Sequence, residues 1–222
     1  MANRVNPADI TLAEARDLLA PAIARAAAFD GWSQAAVDMA AQECGVDPAV
    51  ARIAFPGGAM DMIDAWTQSV DAAMALALPA QQIGNLPIRE RIRRLIQFRL
   101  DHVTQSRESL RRALSIMAMP QNLARAAQLG WRSADAMWRL AGDTATDYNH
   151  YTKRMTLGGI YAATLTVFAN DSSEDFAETR AFLGRRIEGV MKFEKAKARL
   201  LANRDMHFSP ARFLGRLRYP AR

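Results

Sequence analysis

The sequence predicts an all-α protein. Apolar residues recur with a 3.6-residue period along most of the chain, alanine is abundant, and the alternation of half-buried strands is scarce. Half of the 222 residues are hydrophobic and 23% are charged, which supplies ample material for a helical core. The formal charge of +6 admits nucleic acid or an anionic membrane as a partner, and the position of that charge decides between them. A single cysteine, Cys44, excludes an intramolecular disulfide; its apolar helical setting predicts a buried, inert thiol.

The first helix opens at a capping box, Thr11 with Glu14, and carries Leu12, Ala15, Leu19, Ile23 and Ala26 on one face until Asp30–Gly31. Ser33 can cap a short helix through Glu43, stopped by Gly45. Asp47-Pro48 supplies the cap and first position of another, which ends near Phe55. Two short helices about a glycine-containing turn make a helix-turn-helix. Its charge opposes DNA binding. Between Asp30 and Asp64 the acids are Asp30, Asp38, Glu43, Asp47, Asp61 and Asp64 and the base is Arg52, six against one, a local charge of −5. Duplex DNA is held largely through phosphate neutralisation by Lys and Arg, so such a segment repels it.

A longer helix follows from Met60 to Leu78, with Met62, Trp66 and Met74 among its apolar residues. Pro79 to Pro87, PAQQIGNLP, reads as a linker. The expected domains are a helix-turn-helix module over residues 1–80, a helical ligand-binding and dimerisation region over 81–200, and a basic amphipathic tail over 201–222. Beyond the linker, Ile88, Ile92, Leu95, Ile96, Leu100 and Val103 form a core-facing stripe, with Arg89, Arg91, Arg93 and Arg94 on the other sides. Leu110 to Met119 is apolar on one side, with Leu114, Ile116, Met117 and Met119, and Pro120 ends it. Methionine, 11 in all, suits an adaptable cavity as well as an ordinary core.

The stretch from Trp131 to Phe193 holds three helical patterns, broken at Gly142–Asp143 and Asn170–Ser173. Thr144 and Asp147 form a second capping-box pattern, and Asp147, His150 and Arg154 then share a helix face beside Tyr151. Met155 to Ala169 carries no charge and is apolar all round, so this half is expected to face inward, against other helices or a second subunit, and the charged half outward. Asp171-Ser-Ser-Glu174 opens the next helix, whose stripe is Phe176, Thr179, Leu183, Ile187 and Val190. In the tail, Phe208, Phe213, Leu214, Leu217 and Tyr219 alternate with Arg212, Arg216, Arg218 and Arg222. That composition fits an interfacial helix on anionic lipid, with Phe208, Phe213, Leu214, Arg216, Leu217 and Arg218 as the membrane-contacting residues.

The motifs AGDTATDYNHYTKR, then IY, then NDSSEDFAETRAFLGRRIEGVM closely resemble the ubiquinone-biosynthesis accessory proteins of the Coq-nine family. The resemblance runs from about Leu12 to Lys197 and is most specific between Met137 and Met191. It implies a TetR-like helical fold, a bound isoprenoid lipid or quinone intermediate, a homodimer, and service to a di-iron demethoxyubiquinone hydroxylase. Carried onto this sequence, the hydroxylase surface is Met137, Asp147, Asn149, His150, Tyr151 and Arg154, with His150 standing where the family often has tryptophan. The lipid site expected in the helical region comprises Leu95, Leu114, Met117, Met119, Trp131, Trp138, Leu157, Tyr161 and Leu165.

ECGVDPAVARIAFPGG looks like the TetR version of a helix-turn-helix, but Arg52 replaces the tyrosine usual in its DNA-binding members. A ligand-responsive TetR-type transcriptional regulator is therefore the alternative reading, and no nucleic-acid partner is expected. His102, His150 and His207 have no metal-ligand spacing, and no Glu-x-x-His, Walker A, G-x-S-x-G or G-x-G-x-x-G pattern occurs. The expectation is a non-enzyme without metal or cofactor. Residues 1–11 have neither a signal-peptide apolar core nor a transit-peptide pattern, and no stretch reaches the roughly 20 apolar residues of a bilayer span. The expected location is the cytoplasmic face of a bacterial inner membrane.

Overall fold

Helix α1 (Leu12–Asp30) starts where the capping box predicts: Glu14 N donates to Thr11 Oγ1 at 3.3 Å, and Thr11 N donates back to Glu14 Oε2 at 2.9 Å. A computed structural model describes residues 10–146 and 148–204, with side chains to Lys192. Among these residues α2 (Gln34–Cys44), α3 (Pro48–Ala54), α4 (Ala59–Ala77), α5 (Ala80–Ile83), α6 (Ile88–His102), α7 (Arg107–Met117), α8 (Leu123–Leu140), α9 (Tyr148–Asn170) and α10 (Ala177–Arg204) follow. The chain divides into two compact units, Met1–Leu183 and Gly184–Arg222. The first holds α1 to α9 and the start of α10; the rest of α10 lies in the second.

The helix-turn-helix forms for the local reasons read from the sequence. Gly45 stops α2 in the left-handed region at φ 69°, and Asp47 accepts from Ala49 N at 2.7 Å to cap α3. Ser33 stands at the α2 cap position, but its hydroxyl makes no capping bond. Phe55 closes the element, buried under the Arg16 guanidinium 5.3 Å from its ring centroid. Cys44 is half-buried rather than buried, and burial, helped by Glu43, pushes its thiol up. The linker is more ordered than its composition predicts, because α5 forms within it and buries Ile83.

The acidic charge of the module is balanced in space. Arg52 donates to both carboxylate oxygens of Asp38, at 3.0 and 2.9 Å, Glu43 pairs with Arg25, and from α8 Arg125 reaches Asp61 and Arg132 reaches Asp64. Two of the six acids therefore tie α4 to α8. Trp32 and Trp66 pack with ring centroids 5.3 Å apart and planes tilted by 42°, Trp32 donates to Ser109 O at 3.0 Å, and the Ser109 hydroxyl donates to Ala24 O at 2.5 Å. These buried bonds join α1 to α7.

The arginines of the second half close backbone ends as well as decorating the surface. Arg91 donates to Leu86 O and Ala141 O, each at 2.7 Å, and also to Gly84 O, fastening the linker to the end of α8. Arg107 lies over the paired rings of Phe168 and Phe176 and donates to Phe168 O and Asp171 O, carbonyls at the end of α9. Phe176 holds this place at φ 56°, with Asp175 at φ 50°, a left-handed step that these residues rarely take.

Asp171 organises the turn into α10. Its Oδ1 accepts from Ser173 N at 2.8 Å and its Oδ2 from Thr179 N at 2.8 Å, while both hydroxyls donate as well. Burial alone would raise this carboxyl, but the bonds from Ser173 and Thr179 hold it well below the usual carboxylate range. A carboxyl depressed in the folded state stabilises above its unfolded pKa of about 3.9 and loses that contribution as pH falls. Thermal stability should therefore drop below about pH 4, and Asp171→Asn should lower stability at pH 7 while flattening that acid limb. An acid limb unchanged in the variant would contradict the assignment.

Candidate functional site

Four long helices and the end of α6 leave an unfilled space between them. It is a cavity of about 330 Å³. Ile63, Trp66, Thr67 and Val70 line it from α4, Arg99 from α6, Leu110, Ala113, Leu114 and Met117 from α7, Leu129, Gly130 and Ser133 from α8, and Gly158, Tyr161, Ala162, Leu165 and Thr166 from α9. Most of this wall is apolar, and its size is that of small-ligand sites. Glycine at 130 and 158 brings α8 and α9 close: a Cβ at Gly158 would lie 3.8 Å from Gly130 O.

One charged group enters the wall. Arg99, 2% exposed, donates through Nε to the Tyr161 hydroxyl at 2.9 Å, pairs with Asp71, and reaches Ser133 Oγ at 3.2 Å. Burial works against its charge, but Tyr161 and Asp71 more than compensate, so the guanidinium is held above its ordinary value. Four of the expected lipid residues, Leu114, Met117, Tyr161 and Leu165, line the cavity. The others do not. Leu95 and Leu157 are spent in the core, Met119 is exposed, Trp138 donates its indole N–H to Lys153 O, and Trp131 packs tilted against His150 and Tyr151. The α4 wall, Arg99 and Ser133 were missed, because what brings them together is pairing between residues 28 and 34 apart in sequence.

The expected hydroxylase surface also divides. Tyr151 is 57% exposed and packs with Trp131 and His150 at 6.0 and 5.2 Å between centroids, with exposed Tyr148 near the same end of α9. His150 is half-buried, its Nδ1 2.9 Å from Ala145 O, and Asn149 is exposed. Asp147, and with it the capping box, lies outside the described residues. Two assignments are corrected. Met137 is fully buried, and Arg154 is 2% exposed, bridging Asp135 at 2.6 Å and Asp143 at 3.0 Å.

The charged half of α9 thus turns its arginine inward, where carboxylates from α8 and from the segment after it await it. The uncharged half, expected inside, leaves Met155, Thr156, Gly159, Ala162 and Thr166 exposed. Burial pushes Asp143 up, but Lys153 and Arg154 hold it below its usual range. The expected membrane residues Phe208, Phe213, Leu214, Arg216, Leu217 and Arg218 lie outside the described residues.

Residues 123–194, covering α8, α9 and much of α10, match the COQ9 family model. The chain is 34% identical over 168 residues to "Ubiquinone biosynthesis protein COQ9, mitochondrial" of Rattus norvegicus and 32% identical over 167 to that of Homo sapiens. The chain is a homologue of the COQ9 proteins. Each match covers 72% of this chain but 54% and 52% of the relative, so the chain spans about half the length of the curated COQ9 proteins. A TetR transcriptional regulator of Nitrosomonas europaea ATCC 19718 superposes with a TM-score of 0.61 at 23% identity, covering 78% of this chain and 95% of the regulator. The fold is TetR-like.

One expectation is overturned outright. These relatives, like those of cattle and Drosophila melanogaster, are named as mitochondrial, which conflicts with a bacterial inner-membrane location. Among the described residues no helix is long and apolar enough to cross a membrane. The geometry around Arg154 separates this COQ9 homologue's surface from its support. Removing one partner of a buried ion pair leaves a buried charge uncompensated, so Arg154→Ala should cost about 3–5 kcal/mol in urea denaturation. Tyr151→Ala should stay within about 0.5 kcal/mol of wild type. Equal stabilities for the two variants would contradict this division.

Proposed function

We propose that this chain is a non-enzymatic lipid-binding accessory protein of ubiquinone biosynthesis. The observation that supports it best is an apolar cavity of about 330 Å³ in a chain homologous to proteins named for that pathway. The ligand in this reading is an isoprenoid quinone intermediate. Leu114, Met117, Leu165, Ile63 and Val70 offer its tail an apolar wall, and Met117 gives that wall some adaptability. The partner is a di-iron demethoxyubiquinone hydroxylase, to which the ligand is presented. It docks on Asn149, His150 and Tyr151 with Trp131 and Tyr148, while Met137 and Arg154 hold α8 and α9 beneath. An exposed aromatic group ringed by polar residues is how compact interfaces concentrate energy.

The uncharged outer side of α9 suits a second copy of the chain, and the basic tail suits an anionic lipid surface. A regulator of TetR type is disfavoured because Arg52, the base of the second short helix, already pairs through Nε and Nη2 with both carboxylate oxygens of Asp38.

Two measurements test the reading. Trp66 lies in the cavity wall, so a decyl-tailed dimethoxy benzoquinone should quench intrinsic fluorescence saturably. Ala126→Phe, which fills the α8 side of the cavity, should weaken that binding at least about tenfold. Unsaturable quenching, or unchanged affinity in the filled variant, would remove the lipid site. Tyr151→Ala should weaken hydroxylase binding by about 1–3 kcal/mol in a surface-capture assay. Normal binding by that variant would remove the docking patch and leave the lipid site standing.

A further inference from the structure

The hydroxyl groups of the cavity wall are not equivalent. Thr67 donates to Ile63 O at 2.8 Å and Thr166 to Ala162 O at 3.1 Å, so each proton is spent on its own helix. Ser133 Oγ lies 3.2 Å from Asp71 Oδ2, which takes its proton, while it accepts from Arg99. Tyr161 differs. Its oxygen accepts from Arg99, and among the described residues its own proton has no acceptor. A buried donor proton left without an acceptor is costly, and the tyrosine is 7% exposed at the edge of an apolar space.

The network around Arg99 also restricts what could accept that proton. One guanidinium is matched by one carboxylate, Asp71, and each nitrogen of Arg99 already has a partner. A ligand carboxylate or phosphate would bring a negative charge that no free cation in the wall balances, at a high desolvation cost. A neutral carbonyl-type oxygen brings none. Arg99, donating into the tyrosine oxygen, polarises the O–H and strengthens it as a donor. The indole N–H of Trp66 is another wall donor without an acceptor among the described residues, but no cation stands behind it.

We infer that Tyr161 is a specificity-determining residue of the cavity: its hydroxyl, held by Arg99, hydrogen-bonds a neutral carbonyl oxygen on an otherwise apolar ligand. This rests on the lipid-site reading and adds a polar address to it. The cavity selects an oxygenated ligand over a hydrocarbon of the same bulk, and the oxygenated end is the part that meets α9. Such an oxygen is found on a quinone ring and on a lipid ester, and the two are distinguished experimentally.

The test is calorimetric titration of the full chain with three probes: a decyl-tailed dimethoxy benzoquinone, methyl laurate and dodecylbenzene. Tyr161→Phe is expected to lose about three- to tenfold in affinity for the quinone, with dodecylbenzene unaffected. A matching loss for methyl laurate assigns the donor to carbonyl lipids in general; a loss for the quinone alone assigns it to the ring. In infrared spectra the quinone carbonyl band should fall in frequency on binding to wild type and recover in Tyr161→Phe, while Trp66→Phe keeps the lowered band. Equal losses for quinone and dodecylbenzene, or none, overturn the inference and leave the lipid site intact. Wild type that binds none of the probes overturns both. Should Tyr161→Phe not fold by circular dichroism, the wild-type band decides: a bound carbonyl at its hydrocarbon-solution frequency overturns the inference.

Discussion

A buried cation that has to be neutralised sets the constraint on the middle of this molecule. Arg99 cannot be withdrawn from water without partners, and its partners come from α4, α8 and α9, three of the helices that wall the cavity. The ion pair and its hydrogen bonds therefore hold three helices at a fixed distance from α6. With small residues at 113, 130 and 158, the same spacing leaves room that side chains do not fill. Cavity and cation are one arrangement. Side chains that face open space forgo dispersion attraction on that side, and a ligand filling the space restores it.

The same device recurs at the edges. Arg154 between Asp135 and Asp143 secures α9 to α8 and to the segment after it, Arg107 closes the far end of α9, and Arg91 closes α8 against the linker. Arginine suits this work because its planar group offers several donors and stays charged when buried. Much of the chain's basic character is therefore structural within the described residues.

Local chemistry was legible in the sequence and distant pairing was not. Thr11 with Glu14, Gly45, and Asp47 before Pro48 each act within a few residues, and each forms the cap or stop expected. Arg154 looked exposed because its helix neighbours are polar; its partners lie 19 and 11 residues away, beyond the reach of a helical pattern. Arg99 meets Tyr161 across 62 residues, and α4 lines the cavity although the sequence marked Trp66 only as one of the apolar residues of its helix. Half of α9 was expected inside because it lacks charge, yet that absence describes a surface suited to covering as well as one already covered.

The occupant proposed for the cavity between α4, α6, α7, α8 and α9 is a lipid bearing a neutral oxygen. The most direct measurement is organic extraction of the gently purified protein, with mass spectrometry of what it carries, beside Ala126→Phe prepared identically. Wild type should carry a stoichiometric, uncharged isoprenoid quinone or related carbonyl lipid, absent from the filled variant. Empty protein, or the same mixed phospholipids in both preparations, would contradict it.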